Sequence, residues 1–195
     1  MTKKGFRSKG NLEEIFRDLL IELRVNMKLG DLANTPERMA RTWLELTRSY
    51  QEELPDIKTF KADKIQVLGV HGLHYFSLCE HHGLPFEGSV CIMYVPNDKL
   101  IGLSKPARIV DYYSHFLMIQ ERFTSQILKA VDKAIKPYGV YVISRGRHLC
   151  SAMRGIKSRE HEFIVEEQRF MNEKSKLTWM PRLYKAEDRC GEVKR

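Results

Sequence analysis

No stretch of this 195-residue chain approaches the roughly 20 consecutive apolar residues that a membrane-spanning helix needs. Cysteine is scarce: the four present are irregularly spaced, which argues against a disulfide framework and for a reducing cytoplasm. No internal repeat or low-complexity tract interrupts the chain. The first ten residues, Met1 to Gly10, are basic but lack the apolar core of a secretory signal, and they are expected to form a flexible arm. Acidic residues are in the minority, 25 against 33 Lys and Arg, for a formal charge of +8. Such a balance suits an anionic partner. No helix-turn-helix, finger or ribonucleoprotein signature accompanies it, and much of the excess lies in the terminal stretches Lys3 to Lys9 and Lys174 to Arg195. A phosphorylated small molecule meets the same electrostatics with fewer residues, and charge alone does not choose between the two; the partner expected from the motifs below is a small-molecule substrate, with no nucleic acid and no membrane.

What is present is ordinary for a globular protein, with 43% hydrophobic and 30% charged residues. Helical spacing of Leu12, Ile15, Phe16, Leu19, Leu20 and Leu23 predicts a first helix capped by Asn11. Thr35-Pro36 predicts a second, with Thr35 as cap and Met39, Trp43 and Leu46 on one face. From Lys64 the period becomes that of strands, over Ile65–Val70, Tyr75–Leu78 and Gly88–Val95. Helices are expected over about 105–113 and 119–136, and Pro137-Tyr138-Gly139 breaks the pattern. Two last strands are expected at Val140–Ile143 and Glu162–Val165. The order ββααββ after N-terminal helices predicts an α+β fold with an antiparallel sheet backed by helices on one face. The expected division is 1–63 for arm and N-terminal helices, 64–170 for the catalytic domain and 171–195 for a basic tail. An open sheet leaves unpaired edges, which favours a homo-oligomer.

Chemistry concentrates in Cys79-Glu80-His81-His82 and His148-Leu149-Cys150. Cys79 and His82, three apart, can both reach one ion, and Cys150 can be a third ligand. Three nitrogen or sulfur ligands with an open position characterise catalytic zinc, whereas His81 or His148 as a fourth would make a closed structural site. Packing alone is the ordinary fate of an isolated cysteine. That reading suits Cys91, within an apolar strand, and Cys190 is expected to be a plain thiol. A zinc deaminase is excluded, because no Pro-Cys-x-x-Cys follows the first cluster. Gly102 to Arg108 forms a second cluster, in which Ser104 can cap the helix that Pro106 opens, with Lys105 and Arg108 beside its anion-favouring end. Arg154 follows Cys150 closely. In Gln120-Glu121-Arg122, an inward Glu121 could accept two hydrogen bonds from a guanine edge.

Together with Asn34 to Ala40 and Met153-Arg154-Gly155, these motifs resemble GTP cyclohydrolase I, in order and spacing, over residues 34 to 157. The resemblance implies the tunnelling fold and zinc held by Cys79, His82 and Cys150. It implies acid–base histidines at His81 and His148, and guanine reading by Glu121 with Gln120 nearby. Ser104, Lys105, Arg108 and Arg154 correspond to the triphosphate-binding set. It further implies a cytoplasmic homodecamer of two pentamers, with active sites at subunit interfaces. The implied reaction is hydrolysis of the guanine imidazole ring of GTP, releasing formate and giving 7,8-dihydroneopterin triphosphate, the first step towards pterins, folate or deazapurines. The chain departs from the family between Ile156 and Phe170, where Glu166-Glu167 stand in place of the usual Thr-Ser-bearing strand, and in the tail around Trp179-Met180-Pro181. Three alternatives remain: a tunnelling-fold relative acting on another purine nucleotide such as deoxy-GTP or stopping after formate release, a non-catalytic zinc-stabilised nucleotide-binding protein, and a basic nucleic-acid binder, which would show salt-sensitive duplex affinity.

Overall fold

A computed structural model describes the backbone of residues 9–187 and the side chains of residues 11–185. Of the basic arm expected over Met1 to Gly10, Lys9 and Gly10 belong to the first helix and the rest lies outside the described residues, as does Cys190, expected to be a plain thiol. The chain divides into two compact units, Met1–Arg48 and Ser49–Arg195.

The first unit carries α1 (Lys9–Glu22) and α2 (Thr35–Leu46). Within it the buried Phe16 ring lies tilted against Trp43, with centroids 6.1 Å apart. Both helices begin earlier than the cap residues predict. Asn11 lies inside the first turn of α1 and is not its cap. The cap position of α2 is Asn34, with Thr35 the first helical residue. Asn34 makes no side-chain cap bond, because its amide donates to Asp31 Oδ1 in the preceding turn (2.6 Å). Pro36 still falls in the first turn, where its missing N–H costs nothing.

The second unit is built on two sheets. A small one pairs β1 (Thr59–Lys61) with β4 (Lys99–Ile101), so residues 59–61, expected within the N-terminal segment, pair with a strand of the second unit. The large sheet combines β2 (Leu68–Cys79), β3 (Pro85–Val95), β5 (Leu117–Met118), β6 (Gly139–His148) and β7 (Phe163–Phe170), in the order β5-β2-β3-β6-β7. The two segments expected from Ile65 to Leu78 are one strand, because a register shift between Val70 and Leu73, with Gly72 at φ 70°, bends β2 without breaking it. All pairings in this sheet are antiparallel except the short parallel contact of β5 with the end of β2.

Period-2 alternation divides the central strands between two apolar clusters. Phe86, Val90, Ile92 and Tyr94 of β3 share one with Val140 and Val142 of β6. The same cluster holds Ile109 of α3 (Lys105–Ser114) and Phe123, Ile127 and Val131 of α4 (Gln120–Ile135). The intervening Cys91, Met93 and Val95 join Tyr141 and Ile143 in the second. Leu183 of α6 (Glu173–Glu187) completes it, with Trp179 packed alongside. The segment expected as a tail therefore contributes a helix that adds a second cover to the sheet. Glu166 and Glu167 follow the same alternation. Tyr141 donates its hydroxyl proton to Glu166 (2.8 Å), and Ser125 on α4 donates to Glu167 (3.1 Å).

Gly88 and Gly146 face each other across β3 and β6. A Cβ at Gly88 would sit 1.8 Å from the carbonyl oxygen of Arg145, which backbone cannot avoid without moving the strand. Gly88→Ala is expected to destabilise the protein by about 3 kcal/mol, the upper end of overpacking costs. A shift in the urea midpoint measures this; an unchanged midpoint would mean that the strands can part locally.

Candidate active site

Cys79 ends β2 and Pro85 opens β3, so the Cys-Glu-His-His run is the connection of a hairpin. The Cys79 carbonyl accepts from Gly83 N–H (2.8 Å), and Cys79 N–H donates to Leu84 O (2.9 Å). Gly83 sits at φ 64°, a left-handed conformation that a side chain would strain. This tight turn brings His82 Nδ1 to 4.0 Å and His81 Nδ1 to 3.9 Å from Cys79 Sγ.

The second group arrives by strand pairing. β3 is hydrogen-bonded to β2 on one side and to β6 on the other, and its Phe86 pairs with His148, the last residue of β6. The chain then turns into α5 (Leu149–Ala152), a single helical turn that carries Cys150. Donor atoms of Cys79, His82 and Cys150 all lie within 4.8 Å of one another. Zinc held at about 2.3 Å by sulfur and 2.0–2.1 Å by nitrogen needs donors roughly 3.5–4 Å apart, so the group fits after a small contraction. Its mixed thiolate and imidazole character also suits that ion.

Burial raises the Cys150 thiol above its ordinary pKa and the neighbouring Cys79 adds to this, while Arg154 pulls the other way. Burial lowers the His148 pKa, against the charge of Glu121, which raises it; His161 lowers it further. The His148 ring is stacked on Phe86, with centroids 4.6 Å apart and planes 2° from parallel. Phe163 stands edge-on at 6.0 Å.

These groups line a cavity of about 320 Å³. Cys79, His81, His82, His148 and Cys150 form one part of its wall, and Gln120 and Glu121, at the start of α4, another. Of the expected site residues, Ser104, Lys105, Arg108 and Arg154 are not in that wall. Arg154 remains close enough to influence Cys150. The other three stand at the start of α3, whose ten residues span about 15 Å before the chain reaches β5 beside Cys79. Ser104 occupies the cap position without a side-chain cap bond, and Lys105 Nζ donates to Asp56 O (2.7 Å).

Sequence reasoning missed three features. Glu80, without an assigned role, is gripped by both terminal nitrogens of Arg122, tying the turn after Cys79 to α4. His161 and Phe163 also line the cavity, and His161 Nε2 lies 3.1 Å from Ser151 Oγ. The one signal for them was their place in the segment that departs from the family. Gly83 was legible in principle, since a tight turn after the His pair calls for a left-handed residue.

A sequence profile described as GTP cyclohydrolase I matches residues 12–178, most of the chain. The chain belongs to the GTP cyclohydrolase I family. It is 39% identical over 152 residues to GTP cyclohydrolase 1 of Deinococcus radiodurans, covering 76% of this chain and 70% of that one. Against the enzyme of the same name from Pseudoalteromonas atlantica the identity is 38% over 158 residues, covering 80% and 86%. The human GTP cyclohydrolase 1 is 40% identical over 158 residues, 80% of this chain and 63% of the human protein. The α+β architecture, with two helices between strand pairs, is the tunnelling fold expected for GTP cyclohydrolase I.

Proposed function

We propose that this protein is a zinc-dependent GTP cyclohydrolase I, which hydrolyses the guanine imidazole ring of GTP, releases formate and forms 7,8-dihydroneopterin triphosphate. The observation that carries this reading is the convergence of Cys79, His82 and Cys150 on one point in a cavity that His81, His148 and Glu121 also line. When bound there, zinc supplies the Lewis acidity that activates water for attack at carbon 8 of the purine. His148 and His81 exchange protons with the substrate as the ring opens and formate departs. Glu121, exposed at the cavity and in the first turn of α4, accepts hydrogen bonds from the ring and amino N–H groups of guanine. Family membership supports this activity; retention of the acid–base pair favours turnover over mere nucleotide binding.

Ser104, Lys105 and Arg108 bind the triphosphate, with Arg154 as the cation nearest the metal. Their absence from the wall of the cavity in a single chain supports a site shared between subunits of a cytoplasmic homo-oligomer, a decamer of two pentamers. The start of α3 of one copy then serves the Cys–His cavity of its neighbour. Complementation tests this. Lys105→Ala and His148→Ala proteins, each inactive alone, are expected to recover part of the GTP-dependent formate release when refolded together, since a mixed interface can hold one site with both groups intact. Failure to recover, under conditions where wild-type subunits reassemble, would place each complete site within one chain. The product is a precursor for pterin, folate or deazapurine synthesis.

A further inference from the structure

Gln120 is buried, 1% exposed, although it borders the cavity. Its Nε2 lies 3.0 Å from the carbonyl oxygens of both Ser144 and Phe163 and 3.0 Å from Ser144 Oγ. Carbonyl oxygens only accept, so the atom facing them is the amide nitrogen. The hydroxyl protons agree. Thr124 Oγ1 donates to Gln120 O (2.8 Å), so the 2.6 Å contact between Thr124 Oγ1 and Ser144 Oγ must take its proton from Ser144. Ser144 Oγ is then free to accept from Gln120, and every donor in the circuit has an acceptor.

With the amide fixed, Oε1 faces His148 Nε2 at 2.8 Å. An amide oxygen cannot donate, so Nε2 must carry the proton. In the neutral ring Nδ1 then holds the lone pair, and among the described residues no hydrogen bond reaches it. Two further features hold this arrangement. Phe86 sets the ring plane by stacking. Gly146 leaves the space that Oε1 occupies, since a Cβ there would lie 2.6 Å from Oε1 and 2.6 Å from the Tyr75 hydroxyl.

We propose that Gln120 is a positioning residue, which holds His148 in the Nε2–H tautomer and leaves Nδ1 as the nitrogen that exchanges protons with substrate. Gln120 was expected beside Glu121 as a reader of guanine. Instead, its amide protons and the oxygen that faces the ring are engaged within the protein, and guanine recognition rests on Glu121. This inference depends on the proposed acid–base role of His148, but its first test does not.

Magic-angle-spinning NMR of protein labelled with 15N-histidine, recorded near pH 8, above the ordinary imidazole range, reads the tautomer directly. The His148 signal is assigned by its absence from the His148→Asn protein. The expected spectrum has a protonated Nε2 and an unprotonated Nδ1; the reverse pattern would overturn the proposal whether or not any Gln120 variant folds. Gln120→Leu is expected to lose the single tautomer and to lower kcat by about 10–100-fold, the range seen when outer partners of site histidines are removed. KM for GTP should stay near wild type. A raised KM with unchanged kcat in Gln120→Leu would restore Gln120 to guanine reading and overturn the proposal. Absence of GTP turnover in the wild-type protein would refute the proposed activity and leave the tautomer result standing.

Discussion

Cys150→Ala is expected to abolish zinc retention and GTP turnover together while leaving the fold intact. Structural zinc sites contribute about 10–16 kcal/mol over four ligands, so one thiolate accounts for roughly 3 kcal/mol, a hundredfold or more in affinity. Cys150 stands half-buried in the single turn of α5, outside the central strands of the sheet. Its loss should therefore leave the circular dichroism spectrum and urea midpoint close to wild type. Zinc per chain, measured after dialysis, checks the metal, and formate release checks the activity. The same thiol sets a pH dependence. Burial and the adjacent Cys79 hold Cys150 protonated above the usual thiol range, and zinc must displace that proton. Apparent zinc affinity is accordingly expected to rise with pH and to fall on acidification, with protons released on binding. A Cys150→Ala protein that keeps both zinc and turnover would refute the ligand set.

His148→Ala separates the metal from the proton chemistry. Its turnover is expected to fall by about 10²–10⁴-fold, the usual contribution of a general acid–base group, with zinc content unchanged. Loss of the stack on Phe86 removes about 1 kcal/mol of aromatic contact, a small part of a typical folding stability. A fall of that size in kcat therefore cannot be assigned to unfolding, and a melting curve run in parallel checks it. Near-wild-type turnover would move the acid–base role to His81.

The sequence makes the chemistry legible more readily than the geometry that serves it. The unbroken apolar runs of β3 and β6 reveal strands because a pleated strand buried on both faces has to be apolar on both. Short strands are a different matter. Leu117–Met118 and Thr59–Lys61 are too brief to show any period, yet β5 helps place the turn after Cys79. The helix after residue 171 is hidden because few of its residues, chiefly Leu183 and Trp179, touch the sheet. Cys79, His82 and Cys150 stand out by residue type. Their meeting depends on β3 being hydrogen-bonded to both β2 and β6, which local pattern does not specify. Gln120 illustrates the limit most clearly. As one polar residue in a polar triplet it suggests substrate contact, whereas burial beneath β6 and β7 turns its amide onto Ser144, Phe163 and His148.

The most direct measurement follows zinc-loaded protein incubated with GTP, counting formate and, after oxidation, pterin fluorescence in the same sample. Equal amounts of formate and pterin, both abolished by Cys150→Ala, are the expected result. Formate without pterin would mean that the reaction stops at the opened ring, and neither product from zinc-loaded protein would contradict the assignment of GTP cyclohydrolase I activity.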